Sequence, residues 1–461
     1  MNLDSAVNDL PVVVIGAGPQ GLAAAAHLRE RGIEFVVLEA GERPGAAVSE
    51  WSHVRLFSAW PELIDPAAAR LLAAGHWRAP ATGYPTGGEW MASYLAPLAD
   101  ALGASVRYGA RVVGVGRKGR GKVVDEGRSS QPFVVHLTND DGTEERLEAR
   151  AVLDASGTWG QPNPAGADGL PALGETRARA AGLLSHRIPT LADAASFAGR
   201  HVVVVGNGHS AATAILQLAD IARARAGTRI TWVLRRGSVG TTFGGGDADE
   251  LAARGALGTR AQRAVESGLV EMVTGFRVER VDIVEDNDRG NGDRQAVLVA
   301  EDGRTLPPAD HVFVLTGFRP DLSILSELRL DLDVTLQAPI KLAVEIDPNI
   351  HSCGTVRATG AAELAHPETD LYVIGAKSYG RAPTFLALTG YEQVRSVVAA
   401  LAGDHEAAAR VELKLPDTGV CGGRGDFDVA EGGSCCTPAP ALTRHLLLTQ
   451  RPQNELIEAG L

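Results

Sequence analysis

Cysteine is scarce in this sequence. Only four cysteines occur among 461 residues. Domains that are stabilised by disulfides need a far higher density of them. The chain is therefore not a disulfide scaffold, and the positions of its few cysteines matter more than their number.

Long apolar runs and positive charge are also lacking. The apolar runs are no longer than a strand, so none is predicted to span a bilayer. The net charge of −12 argues against a nucleic-acid partner, which would require a basic face. The opening segment MNLDSAVNDL has two acids and no basic residue, so a secretory signal is not predicted. We expect a cytoplasmic protein with a small-molecule substrate and no membrane partner; a homodimer stays open.

The composition is that of an ordinary globular protein. Hydrophobic residues make up 45% of the chain and charged residues 22%. The length allows two or three domains.

A glycine turn stands near the start of the chain. The apolar run Val12–Ile15 leads into a G-x-G-x-x-G pattern, and a helix-forming stretch follows. Such glycines allow a tight turn, close approach of a pyrophosphate, and close packing of helix on strand. Glu39 ends the next apolar run, 23 residues after Gly16, where a carboxylate can accept from ribose hydroxyls. This pattern predicts a dinucleotide site.

A second glycine turn follows about 190 residues later, in VVVVGNGHSAATA. Ala211 replaces the third glycine and still permits close packing. After the next strand, Arg235 and Arg236 stand where the first half has Glu39. A guanidinium can pair with a 2′-phosphate, which a carboxylate would repel. We expect FAD at the first turn and NADPH at the second; a solvated basic turn is the alternative for the two arginines.

With two glycine turns and opposite charges after the strands that follow them, the chain resembles the two-dinucleotide-binding flavoproteins. These include flavin-containing monooxygenases and pyridine nucleotide-disulfide reductases. The resemblance implies an α/β fold with two Rossmann-type domains, each with a parallel sheet and an antiparallel meander. It also implies that the NADPH domain is inserted in the FAD domain. The predicted division is 1–160 and 319–410 for the FAD domain, 161–318 for the NADPH domain, and 411–461 for a Gly-, Pro- and Cys-rich tail.

The reaction type is less sharply indicated. The monooxygenase fingerprint F-x-G-x-x-x-H-x-x-x-(Y/F/W) is half present, with Gly182 and His186 in place but Ala180 and Thr190 at the aromatic positions. The C-x-x-C pair of disulfide reductases is absent, and Cys353 has no close partner in sequence. Cys435 and Cys436 are adjacent, and a bridge between them would be strained and easily reduced. The leading hypothesis is a monooxygenase-like enzyme, in which NADPH reduces FAD and the electrons then pass to O₂ and substrate. The alternatives are a disulfide or metalloid reductase that uses the tail cysteines, and a flavin redox sensor.

The candidate site residues fall into four groups. FAD contacts are predicted at Gly16, Gly18, Pro19, Gln20, Gly21, Glu39, Ser156, Gly157 and Gly375. NADPH contacts are predicted at Gly206, Gly208, His209, Ser210, Ala211, Arg235, Arg236, Thr316 and Gly317. Lys377, Tyr379 and Arg381 are candidates to polarise the flavin or an anionic substrate. Asp247, Asp249, Cys435 and Cys436 are substrate or redox candidates, and no metal site is predicted.

Overall fold

The computed structural model describes residues 7–239, 242–249, 251–285, 294–349, 358–383 and 385–413. Its strands are β1 (Val12–Ile15), β2 (Phe35–Leu38), β3 (Val106–Arg107), β4 (Ala110–Arg117), β5 (Phe133–Asn139), β6 (Glu144–Ala149), β7 (Ala151–Asp154), β8 (Leu184–Ser185), β9 (His201–Val205), β10 (Arg229–Val233), β11 (Glu271–Val273), β12 (Val278–Glu285), β13 (Arg294–Ala300), β14 (His311–Val314) and β15 (Leu371–Val373).

The helices in the same part of the chain are α1 (Pro19–Glu30), α2 (Ala46–Ser49), α3 (Pro66–Ala73), α4 (Gly87–Trp90), α5 (Ala96–Leu102), α6 (Glu175–Ala180), α7 (Leu191–Ser196), α8 (His209–Ala224), α9 (Ala252–Glu266), α10 (Ile340–Ile346), α11 (Ala361–Leu364), α12 (Ala387–Leu401) and α13 (His405–Ala409). A π-helical segment, Met91–Leu95, joins α4 to α5. Pro97 follows it and has no N–H to donate to the preceding turn, which explains the local widening. None of the described helices has both the length and the apolar character needed to cross a bilayer.

Two five-stranded parallel sheets organise the fold. The first has the order β15-β7-β1-β2-β3, and the second has the order β11-β10-β9-β14-β8. The central strands β1 and β9 are buried along their whole length, as expected for sheets covered by helices on both faces. Every strand of the second sheet lies between β7 and β15 in the sequence, so the second unit is inserted in the first. The predicted fold class is confirmed.

The antiparallel parts of the two units differ in size. The strands β4, β5 and β6 form a three-stranded meander, as expected. The corresponding sheet of the second unit has two strands, β12 and β13, and only isolated bridges from Thr305 and Ala309 continue it. The third segment of this second meander therefore pairs with β13 through antiparallel hydrogen bonds, such as those between Ala296 and Ala309, without forming a continuous strand.

Two crossing segments connect the units, and they bond to each other. The N–H of Asn163 donates to the carbonyl of Gly317 at 2.9 Å. The Thr316 hydroxyl donates to the Asn163 carbonyl at 2.7 Å. The rings of Trp159 and Phe318 pack at 4.8 Å between centroids. The outward and return crossings thus form one joint; the residue boundaries of the predicted domains stay a prediction.

A buried ion triad ties the meander to the strand that closes the first sheet. Glu368 accepts from Arg117 at 2.8 Å and from Arg128 at 2.8 Å, and all three side chains are almost fully buried. Burial alone would raise the pKa of Glu368, but the hydrogen bonds from Arg128, Arg117 and the Arg329 N–H lower it overall. The carboxylate is therefore stabilised in its charged form.

We expect Glu368→Gln to destabilise the protein by about 3–5 kcal/mol at neutral pH, because two buried guanidiniums lose their counter-charge. Since the pKa is lower in the folded state, the contribution of Glu368 is present above its unfolded pKa and is lost as pH falls through the folded value. Urea unfolding at pH 7 and at lower pH should therefore show a shallower acid dependence for the variant. Glu30→Gln, at an exposed pair with Arg70, is the control, with a change below about 1 kcal/mol. Equal losses in the two variants would contradict the role of the triad.

Candidate functional site

The first glycine turn joins β1 to α1 in a conformation that only glycine tolerates. Gly16 has φ +101°, and a Cβ there would lie 2.9 Å from the Ala155 carbonyl oxygen. A Cβ on Gly21 would lie 1.9 Å from the Gly16 oxygen. The first glycine therefore makes the turn, and the third lets the helix pack against it.

The second turn repeats this geometry between β9 and α8. Gly206 has φ +132°, and a Cβ there would lie 2.2 Å from the Leu315 oxygen. Ala211 is fully buried in the place of the third glycine. The N-caps of α1 and α8 are Gly18 and Gly208, which have no capping side chain, and neither helix has an acid in its first turn. Both helices therefore offer backbone N–H groups and a partial positive charge to an anion.

Glu39 is fixed beside the first turn. Its carboxylate accepts from the N–H of Ala17 at 2.7 Å and from that of Gly41 at 2.8 Å. A carboxylate has about four lone-pair directions, so it can still accept from a ligand hydroxyl. The bonds to the backbone hold it in place before any ligand arrives.

A cavity of about 710 Å³ opens between the two glycine turns. Of the predicted FAD contacts, all except Gly21 line it: Gly16, Gly18, Pro19, Gln20, Glu39, Ser156, Gly157 and Gly375. The amide of Gln20 donates to the Ala387 carbonyl at 3.3 Å, while its buried oxygen has no partner among the described residues. That oxygen is an acceptor for a donor on a ligand.

Much of the wall of this large cavity is apolar and aromatic. Its walls include Trp51, Phe57, Trp159, Leu257 and Phe385. Flat aromatic rings bind well among such side chains. Together with the glycine cradle, the Glu39 carboxylate and the Gln20 acceptor, these residues fit FAD, whose polar ribose and pyrophosphate lie between two aromatic ring systems.

A smaller cavity of about 280 Å³ lies beside the second turn. Of the predicted NADPH contacts, Gly206, Thr316, Arg235 and Arg236 line it. Arg235 donates to the Ala167 carbonyl at 3.0 Å. Burial lowers the pKa of Arg235, and the neighbouring Arg236 and Arg277 lower it further. Two adjacent guanidiniums thus lie at the carboxyl end of β10.

His209 and Ser210 open α8 but line the large cavity rather than the small one. The second glycine turn therefore stands between the two cavities. The ring of His209 packs 4.9 Å from that of Phe57, between centroids. Burial, and then Arg254, lower the pKa of His209 to about 4, so its imidazole is neutral at physiological pH.

Comparison with known proteins places the chain in a family. Residues 13–340 match the family model described as pyridine nucleotide-disulphide oxidoreductase. The chain belongs to this family. As a member, it is an FAD-dependent oxidoreductase. None of the curated proteins matches it in sequence.

Solved structures of this kind share the fold at low identity. The bacillithiol disulfide reductase Bdr of Bacillus cereus is 20% identical, with a TM-score of 0.62, over 86% of this chain and 99% of that one. The thioredoxin reductase of Lactococcus lactis is 17% identical, with a TM-score of 0.53, over 87% and 99%. The cadaverine monooxygenase DfoA of Erwinia amylovora, bound to FAD, is 15% identical, with a TM-score of 0.55, over 92% and 99%. At this identity the likeness shows the fold alone.

In this flavoprotein Lys377 does not face the cavity, contrary to expectation. Its ammonium lies 2.6 Å from the Asp154 carboxylate and 3.0 Å from the Ser156 hydroxyl, and both Lys377 and Asp154 are buried. The Ser156 hydroxyl also donates to Asp154 at 2.6 Å. The ion pair lies behind the cavity wall and fixes Ser156, which lines it.

The other two residues of this predicted group, Tyr379 and Arg381, do not lie beside the Lys377 ammonium. Tyr379 is buried with its ring 5.2 Å from that of Phe385, and burial raises its pKa. Arg381 lines the small cavity and donates from Nε to Gln337 at 2.8 Å. The three side chains therefore do not form a single catalytic group.

The acidic candidates do not line either cavity. Asp249 makes two hydrogen bonds with Arg254, at 2.8 and 2.6 Å, and accepts from the Leu251 N–H at 2.9 Å. These hydrogen bonds hold Asp249 at the start of α9, where its side chain is buried. Asp247 is exposed in the preceding turn. The redox candidates Cys435 and Cys436, like Cys353, lie outside the described residues.

His186, the histidine of the half fingerprint, packs within the second unit. Its Nε2 lies 3.5 Å from Glu175, whose carboxylate accepts from the N–H groups of Ala165 and Ala172. It does not line either of the two cavities. Its position is that of a packing residue beside a buried carboxylate.

Several lining residues were not predicted from the sequence. Phe57, Trp159 and Arg260 line the large cavity, and Arg319 lines the small one. Trp159 and Arg319 belong to the two crossing segments, which the sequence does mark by their similarity, DASGTWG and LTGFRPD. That similarity was the available signal for both.

We expect Glu39→Gln to weaken FAD binding by roughly tenfold or more, because hydrogen bonds to a charged acceptor are the stronger kind. The measurement is the dissociation constant of FAD, from titration of the flavin-free protein. Glu42→Gln, at an exposed position three residues further on, is the matched control. FAD affinity that is equal in the two variants would refute the assignment of Glu39 to the ribose.

Proposed function

We propose that the protein is an NADPH-dependent flavoprotein monooxygenase that acts on a small molecule. When bound, FAD would take a hydride from NADPH and pass the electrons to O₂, so that one oxygen atom enters the substrate and the other leaves as water. The observation that carries the coenzyme assignment is the opposite charge that follows the second strand of each unit. Glu39 follows β2 beside the first turn, and Arg235 and Arg236 follow β10 beside the second.

The charges assign different dinucleotides to the two turns. A carboxylate at the end of the strand accepts from ribose hydroxyls and repels a 2′-phosphate, whereas guanidiniums attract it. The large cavity contains Glu39 and the small cavity contains both arginines. FAD at the first turn and NADPH at the second follow from this arrangement. We place the reaction in the cytoplasm as part of the same proposal.

The lining of the large cavity supports a reaction that is shielded from bulk water. The wall is aromatic and apolar, and the nearby imidazole of His209 is neutral. Such walls exclude bulk water from the reacting groups. An apolar small molecule would fit there, beside the flavin.

A reductase is the second candidate because Cys435 and Cys436 are adjacent in the sequence. Such a pair would pass electrons from the flavin to a disulfide or a metalloid. The fold is shared by the cadaverine monooxygenase and by the bacillithiol disulfide reductase, so it does not decide between them. The third candidate is a flavin sensor without turnover, and the experiment below distinguishes it from the two enzymes.

We expect NADPH to reduce the bound flavin rapidly under argon, and oxygen uptake to match NADPH oxidation once air and substrate candidates are admitted. Flavin absorbance in a stopped-flow instrument and an oxygen electrode measure the two steps. Disulfide-dependent NADPH oxidation under argon that disappears in Cys435→Ser/Cys436→Ser would replace the monooxygenase by the reductase. If NADPH does not reduce the bound flavin, the sensor is the interpretation that remains.

We expect Arg235→Gln to raise the KM for NADPH by roughly tenfold and to leave that for NADH nearly unchanged, because only NADPH carries the 2′-phosphate. The rate of flavin reduction at saturating coenzyme should stay the same. Arg223→Gln, at the distant end of α8, is the control for the loss of one positive charge. An equal increase for both coenzymes in Arg235→Gln would count against the 2′-phosphate assignment.

A further inference from the structure

The second unit supplies part of the wall of the large cavity. The start of α8 lines it, and so does one side of α9. The α9 residues that do so are spaced as neighbours on one face of a helix: Ala253, Ala256, Leu257 and Arg260. The predicted FAD contacts that line this cavity all belong to the first unit. The α9 face therefore remains for a different ligand beside the flavin.

Arg260 is the one charged residue on this otherwise apolar face. It is exposed while it lines the cavity, so it lies at the opening. Its guanidinium makes no hydrogen bond or ion pair with any described residue. The other arginine of the wall, Arg55, differs in this respect, because it donates to the Tyr84 carbonyl and lies 3.6 Å from the Glu89 carboxylate. Arg260 is therefore available to an incoming anion.

No acid of the cavity wall neutralises Arg260. Among the described residues that line the cavity, Glu39 is the one carboxylate, and the N–H groups of Ala17 and Gly41 hold it at the first glycine turn. The imidazole of His209, at the start of α8, is neutral at physiological pH. The second-unit wall thus presents one positive charge in apolar surroundings, which attracts a ligand of opposite charge.

We propose that the substrate is a small apolar molecule with one carboxylate, and that Arg260 binds this carboxylate at the opening of the cavity. The inference rests on the proposed function, because it names the substrate class of the same site. Side chains such as Phe57 and Leu257 would contact the apolar body. A guanidinium pairs with a carboxylate through two parallel N–H bonds, and one guanidinium balances its single charge. Arg260 would therefore determine specificity by orienting the substrate.

The test is calorimetric titration of the oxidised, FAD-loaded protein with phenylbutyrate, phenylbutyramide and phenylbutylamine, which share one apolar body and differ in charge. The wild type should bind the carboxylate about tenfold more tightly than the amide or the amine. Arg260→Gln should weaken the carboxylate alone, to the level of the amide, and Arg260→Lys should retain part of the preference. Arg260→Glu should reverse it, so that the amine binds most tightly.

Arg263→Gln is the matched control, because Arg263 is exposed on the same helix and does not line the cavity. All variants should keep the flavin content and Tm of the wild type, since Arg260 has no partner to lose.

Two results would overturn the carboxylate site. One is a wild type that binds the three probes equally or not at all, or a preference that survives in Arg260→Gln. The other is a loss of NADP⁺ affinity in Arg260→Gln as large as that for phenylbutyrate, which would assign the arginine to the coenzyme. The titration involves no electron transfer. Carboxylate binding through Arg260 without any oxygen uptake would therefore refute the monooxygenase and still establish this site.

Discussion

The joint between the two crossing segments determines how the two sheets face each other. The backbone and side chain of Asn163 bond to the return crossing, and the Trp159–Phe318 contact packs beside them. Because the second unit is inserted between β7 and β15, the chain must cross twice at this place. The carboxyl ends of both parallel sheets thereby border a common space. Each glycine turn opens there, so the two predicted dinucleotides would approach each other from opposite sides.

Charge then distinguishes two sites of nearly equal backbone geometry. Both turns have a left-handed first glycine, an uncapped helix and a buried small residue at the third position. Their difference lies one strand later, in Glu39 against Arg235. Under the proposed assignment, the fold would supply phosphate binding and single side chains the choice of nucleotide.

Local patterns predicted the parts of the site that local sequence determines. The strands β1 and β9, both glycine turns and Glu39 follow from apolar runs and from glycines at fixed spacing. Lys377 could not be placed in this way, because its partner Asp154 is 223 residues away and only the parallel pairing of β15 with β7 brings them together. Arg381 was missed as a neighbour of Arg235 for the same reason. Such contacts depend on how the chain returns to the first sheet.

The concentration of guanidiniums in one small cavity also has a kinetic consequence. The chain as a whole carries a net charge of −12, whereas four arginines line this opening. Low-dielectric walls focus the field of such a cluster and raise the rate at which anions arrive, and salt screens it over a Debye length of about 8 Å in physiological solution. Coenzyme capture would thus be fastest at low ionic strength, while departure, which breaks short contacts, would be much less sensitive to salt.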